Sequence, residues 1–222
     1  MARRLHEGAI LVVGLGRFGS TLADALQRLG HDVLAVDTSH ELVQRWSGRL
    51  THVVEADATS ELAMRQLGID GFRRAIVAIG TGIEASLLAT GTLIDLGVPE
   101  VWAKAITPQH GRILERLGVQ HVVYPERDAG ERVAHLLSGR LIDFIEFDDG
   151  YAIVKIRSPR AAVGVALGQS GLRTKFGITV VGIKRPGSEF QYATSESVVH
   201  EGDLLIVSGH TDDVEQFARE TC

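Results

Sequence analysis

From residue 9 to about residue 147, short runs rich in Val, Ile and Ala alternate with amphipathic stretches. The apolar runs lie at 9–13, 32–36, 52–55, 74–79, 100–105 and 121–123. Between them, 17–29, 40–46, 60–67, 83–96 and 108–117 repeat apolar residues at the three-to-four spacing of a helix, and several stop at a glycine (Gly30, Gly68, Gly97, Gly118). Runs such as Ile10-Leu11-Val12-Val13 and Ala75-Ile76-Val77 are apolar on both faces, as a sheet covered by helices on both sides requires. The pattern predicts an α/β domain, a Rossmann-like doubly wound parallel sheet. Residues 127–147 carry apolar positions at Val133, Leu136, Leu137, Leu141, Ile142 and Ile145 and read as one long helix, an arm that packs on a second copy. The Asp148-Asp149-Gly150 turn signal then closes a first domain, 1–148. In 149–222 the pattern changes to strands at 151–156, 178–184 and 203–207 with helices at 167–176 and 213–219, a small α+β module.

Composition narrows the function. The 222 residues are 45% hydrophobic and 23% charged, enough for a core in each module. A net charge of −5 gives no electrostatic case for nucleic acid or an anionic membrane. The single cysteine, Cys222, excludes an internal disulfide framework and a thiolate metal site, which fits a reducing cytoplasm. No apolar run approaches the ~20 residues of a bilayer span. Met1 to Gly8 is basic but runs straight into the first strand, unlike a signal peptide. The expectation is a cytoplasmic protein whose link to a membrane runs through a partner.

Gly14-Leu15-Gly16-Arg17-Phe18-Gly19 joins the first strand to the first helix, and Asp37 closes the second strand about 20 residues on. In that setting Gly14 permits the tight turn, Gly16 lets phosphate approach the backbone, and Gly19 lets helix and sheet pack closely. Asp37 would accept ribose hydroxyls and repel a 2′-phosphate, which disfavours NADP. Arg17 departs from a plain dinucleotide fingerprint: a guanidinium at the loop mouth can grip terminal phosphates and favours ADP or ATP over NAD. In Ala56-Asp57-Ala58-Thr59, Asp57 could meet an adenine amino group or ribose, or cap the helix that follows. Lys104 and Glu126 fall on the carboxyl edge, where open α/β sheets bind ligands. A dehydrogenase would need a substrate domain and a placed proton donor, and neither is evident. A redox-sensing repressor would need a helix-turn-helix, for which there is no room before the first strand.

The motifs at 14–19, Val36-Asp37, Ala56-Asp57-Ala58-Thr59 and Tyr124-Pro125-Glu126, with 177–185 and 201–209 near the end, together resemble the RCK family, regulators of potassium conductance. The KtrA/TrkA-type cytoplasmic subunits are the nearest branch, and the resemblance covers nearly the whole chain. It implies a non-enzymatic subunit that forms homodimers and a homo-octameric ring beneath a membrane potassium channel of the KtrB/TrkH type. The cofactor it implies is ATP/ADP, with NAD/NADH as the alternative. Carried over residue by residue, Gly14, Gly16 and Gly19 hold phosphates, Asp37 the ribose, and Asp57, with Ala58 and Thr59, the adenosine. Arg17, beside Phe18, meets terminal phosphates, including those of a neighbouring subunit's nucleotide. Glu126 lies near them and can help hold a divalent cation. The resemblance also implies cyclic di-AMP for the second domain, with Arg173 in Leu172-Arg173-Thr174-Lys175 as a phosphate contact. Ala56 departs from the family's usual glycine.

Overall fold

The computed structural model describes residues 8–137 and 141–221. Met1, Cys222 and the middle of the predicted 127–147 helix lie outside the described residues. The chain forms two compact units that divide at Glu126/Arg127.

In the first unit the strands are β1 (Ile10–Val13), β2 (Val33–Asp37), β3 (His52–Glu55), β4 (Arg74–Val77), β5 (Glu100–Lys104) and β6 (His121–Val123). They make one parallel sheet in the order β3-β2-β1-β4-β5-β6. The helices are α1 (Arg17–Arg28), α2 (His40–Trp46), α3 (Glu61–Gln66), α4 (Ile83–Asp95), α5 (Pro108–Leu117) and α6 (Pro125–Leu137), which carries the chain out of this unit. Successive strand side chains leave opposite faces, so the apolar runs feed two cores. Leu11, Val13, Leu34, Val36, Ala75 and Val77 meet Met64, Ala89, Leu93 and Leu114 of α3, α4 and α5. Val12, Val33, Ala35 and Ile76 meet Ala23, Leu26, Leu42 and Trp46 of α1 and α2. Strand order reverses between β1 and β4, and that crevice at the carboxyl edge is where such sheets take ligands.

The second unit contains β7 (Leu141–Phe147), β8 (Tyr151–Arg157), α7 (Leu172–Phe176), β9 (Thr179–Lys184), β10 (Phe190–Tyr192), β11 (Leu204–His210) and α8 (Thr211–Thr221). Its antiparallel sheet has the order β10-β9-β11-β8-β7. Ala152, Val154 and Ile156 of β8 and Leu205 and Val207 of β11 face Val214 and Phe217 of α8 and Phe176 of α7.

The expected helix over 127–147 is corrected here: α6 ends at Leu137, and 141–147 is an edge strand. Its register slips between Leu141 and Asp143, so the two buried residues, Leu141 and Phe144, stand three apart and mimic helical spacing. The Asp-Asp-Gly turn is therefore the tip of the β7–β8 hairpin, with Asp149 at φ 68°, while the compact units divide at 126/127. The predicted 167–176 helix shortens to α7, because 167–171 instead hydrogen-bonds to the 195–197 loop before Gly171 turns at φ 66°. Strand β10 has no counterpart in the predicted elements.

Candidate functional site

The crevice between β1 and β4 opens into a cavity of about 540 Å³. Its floor is the glycine loop. Gly14 holds φ 96°, which strains any side chain, and a Cβ there would lie a tight 3.3 Å from the Ala78 carbonyl carbon. Gly16 caps α1 in extended backbone with φ −61°, and a Cβ there would meet nothing within 4 Å. Gly19 lines no part of the cavity; a Cβ there would fall 1.9 Å from the Gly14 carbonyl oxygen, so this glycine seats helix against loop.

The first hydrogen bond of α1 runs from the Ser20 amide to the Gly16 carbonyl, leaving the amides at 17–19 without intrahelical partners. Two of the longer helices, α1 and α4, have glycine N-caps, Gly16 and Gly82, and no side-chain cap bond. Both glycines border the cavity. By contrast Ser39, Ser60 and Thr107 cap α2, α3 and α5. Two uncapped helix ends thus face one space with donors and partial positive charge, each worth roughly 0.3–1 kcal/mol to an anion.

Asp37 ends β2 at the cavity wall. Its Oδ2 accepts the Leu15 amide at 2.6 Å and its Oδ1 the Ser39 amide at 2.8 Å. One lone pair on each oxygen remains for a ribose hydroxyl. Asp57, Ala58 and Thr59 also line the cavity. Asp57 Oδ1 accepts from the Thr59 amide at 2.9 Å and the Thr59 hydroxyl at 2.8 Å. It does not cap α3: Ser60 does, through its Oγ and the Ala63 amide.

Arg17 and Phe18 sit at the mouth with Lys104 and Glu126. The Arg17 side chain takes no hydrogen bond among the described residues. Lys104 ends β5; its Nζ donates to Glu126 Oε1 at 2.5 Å and lies 5.6 Å from the Phe18 ring centre. The Lys104 hydrogen bond, opposed by partial burial and aided by a backbone bond and the charges of Lys104 and Arg17, holds the Glu126 carboxyl below the usual range. Among the described residues no three His, Cys, Asp or Glu side chains gather as a metal cage. Sequence reasoning missed Gly80, Thr81 and Gly82, which follow β4 and line the cavity opposite the first loop. The available signal was a Gly-Thr-Gly step from apolar run to helix, repeating the logic of 14–19. Arg173 belongs to the second unit, where with Ser170, Thr174, Thr194 and Ser195 it lines a cavity of about 430 Å³.

The strand order, the loop and the carboxylate define a nucleotide-binding domain of the Rossmann type. The TrkA-N domain family matches residues 10–125 and the TrkA-C domain family residues 151–221. The chain is 36% identical over 218 residues, 98% of each chain, to Ktr system potassium uptake protein A of Bacillus subtilis. It is 28% identical over 211 residues, 92% of each, to the Trk system potassium uptake protein TrkA of Streptomyces coelicolor. The chain belongs to the TrkA-N/TrkA-C family of Ktr and Trk potassium uptake proteins. Among solved structures, the GsuK RCK domain superposes with a TM-score of 0.67 at 21% identity, covering 97% of this chain and 48% of that one. The GsuK channel bound to NAD gives 0.67 at 21%, covering 97% and 40%. This chain therefore spans about half or less of those GsuK chains, and the likeness establishes the RCK fold.

Proposed function

We propose that the chain is a cytoplasmic regulatory subunit, not an enzyme, that binds an adenine nucleotide and gates a membrane potassium transport subunit. The observation carrying this reading is the cavity at the β1/β4 switch point, where two uncapped helix ends converge and Asp37 keeps acceptor capacity for a ribose. Gly14 and Gly16 cradle phosphate, Asp37 takes the ribose, and Asp57 to Thr59 border the adenosine. Arg17 and Lys104 place two positive charges at the far end, which suits the terminal phosphates of ADP or ATP. A divalent cation carried on those phosphates finds its carboxylate in Glu126.

NAD(H) is the second reading. The cavity continues past β4 to Gly80–Gly82, which offers space for a second nucleotide half, and GsuK carries NAD in one solved structure. In the second unit the 430 Å³ cavity suits a small phosphorylated ligand such as cyclic di-AMP, held in part by Arg173. A second copy covers α6, which buries no residue and leaves Val133 50% and Leu137 80% exposed, and dimers close into an octameric ring.

Thermal melts with ATP, ADP, NAD, NADH and cyclic di-AMP test this. A ligand at 100 times its Kd adds about 2.7 kcal/mol, roughly 5–10 °C for a chain of this size. Shifts with ATP and ADP are expected, and light scattering of the same samples should give a multiple of the chain mass. Shifts with NAD or NADH alone would favour the second reading; a monomer unmoved by every ligand would reject both.

A further inference from the structure

Among the described residues of α6 after Glu126, His135 and Leu136 alone are not exposed. Leu136 packs against the core of the second unit. The His135 ring is held from two sides. It stacks on Phe144 of β7 with ring centres 3.9 Å apart and planes at 17°, and its Nδ1 lies 2.8 Å from Glu215 Oε1 of α8. The two side chains of that pair are 25% and 31% exposed, so solvent screens it less than an open surface pair. Glu215 Oε2 takes Arg219 Nη1 at 3.2 Å, which keeps the carboxylate aimed whatever the charge on the ring. The neighbouring charges are matched as well. Arg132 of α6 binds Asp143 of β7 at 2.5 Å, Glu146 takes the Thr211 hydroxyl at 2.9 Å, and Glu131, one turn before His135, stands 4.0 Å from Arg127.

Imidazole is the side chain whose ordinary change of charge falls between about pH 5 and pH 8. Charged, it gives a carboxylate a stronger hydrogen bond and an aromatic face a cation. Neutral, it loses the charge from both contacts. The two contacts of this ring therefore favour the same protonation state, and they tie α6 to two different elements. We propose that His135 is a proton-operated latch: charged, it clamps the last turn of α6 to α8 and β7, and neutral, it lets that turn loosen. The hold is complete where the ring is charged and weakens as pH rises. The helix so held is the one that carries the chain out of the first unit, and the latch works whichever ligand that unit takes.

Hydrogen exchange of the full chain at about pH 6 and about pH 8, expressed as protection factors so that the intrinsic pH dependence cancels, decides it. Amides at 134–137 should be about three- to fivefold better protected at the lower pH. Glu215→Gln keeps an acceptor and removes the charge, and should bring that ratio to about one; His135→Gln should do the same. Arg132→Gln breaks a pair that is charged at both pH values, so protection should fall at both and the ratio should stay. Equal protection of the wild type at the two pH values, or a ratio that survives Glu215→Gln, overturns the latch. A ratio that vanishes in Arg132→Gln as well overturns it too, because the loosening would then be general fraying of α6.

Discussion

A Cβ at Gly16 would meet no heavy atom within 4 Å, whereas one at Gly19 would fall 1.9 Å from the Gly14 carbonyl oxygen. The two glycines therefore fail in different ways. Gly16→Ala should fold with stability within about 1 kcal/mol of wild type, since its φ of −61° suits alanine and the lost cap preference offsets the stiffer unfolded chain. Its methyl group would stand in the space proposed for phosphate, so nucleotide affinity should fall at least about tenfold. Gly19→Ala should instead cost roughly 1–3 kcal/mol of stability by overpacking; paired chemical melts and calorimetry separate the two. Arg17→Ala should leave ADP binding within about twofold and weaken ATP by about five- to tenfold, because only the terminal phosphate loses a partner. Equal loss of both nucleotides would show that Arg17 grips the inner phosphates. Gly14, Gly16 and Asp37 were legible in sequence because a turn, a close approach and a strand end fix them locally. The Lys104–Glu126 bond was not, since its partners lie 22 residues apart and only the β5–β6 register brings them together.

At the scale of elements, the parallel sheet was readable because buried strands and capped helices leave strong local signals. The β7–β8 hairpin was not, because a bulge gave β7 a helical apolar spacing. In the second unit the loop between β10 and β11 is pinned by Asp203, whose side chain is 1% exposed. It accepts from Arg185 Nε at 3.1 Å, Arg185 Nη2 at 3.2 Å and the His200 amide at 2.9 Å. Burial pushes its carboxyl up, but the Arg185 and His200 contacts outweigh that and hold it below the usual range. With the folded value depressed, the stabilisation is complete above the unfolded value near about 3.9 and is lost as pH falls through the folded one. Asp203→Asn should cost roughly 1.5–3 kcal/mol at pH 7 and flatten the loss of stability below about pH 4, checked by denaturant melts across pH. A variant with an unchanged acid limb would remove Asp203 as its source.

At the scale of the molecule, α6 runs from the nucleotide fold into the small antiparallel unit, and its second residue, Glu126, lines the candidate site. Moving a two-state assembly from 1:99 to 99:1 takes about 5.5 kcal/mol. Were copies to assemble as the proposed ring, about 1 kcal/mol per nucleotide would suffice, which is within reach of one phosphate contact. Family membership and fold could be read from the ordered motifs. That the turn at 148–150 is a hairpin tip could not, because the strand before it carries a helical apolar spacing.

Rubidium flux into liposomes carrying a membrane potassium transport subunit of the same uptake system, with this protein added in ATP or in ADP, tests the regulatory reading most directly. Flux should differ between the two nucleotides with wild-type protein, and the difference should vanish with Gly16→Ala, which is expected to keep the fold and lose the proposed phosphate contact. Flux indifferent to nucleotide, or a Gly16→Ala protein that responds as wild type does, would contradict it.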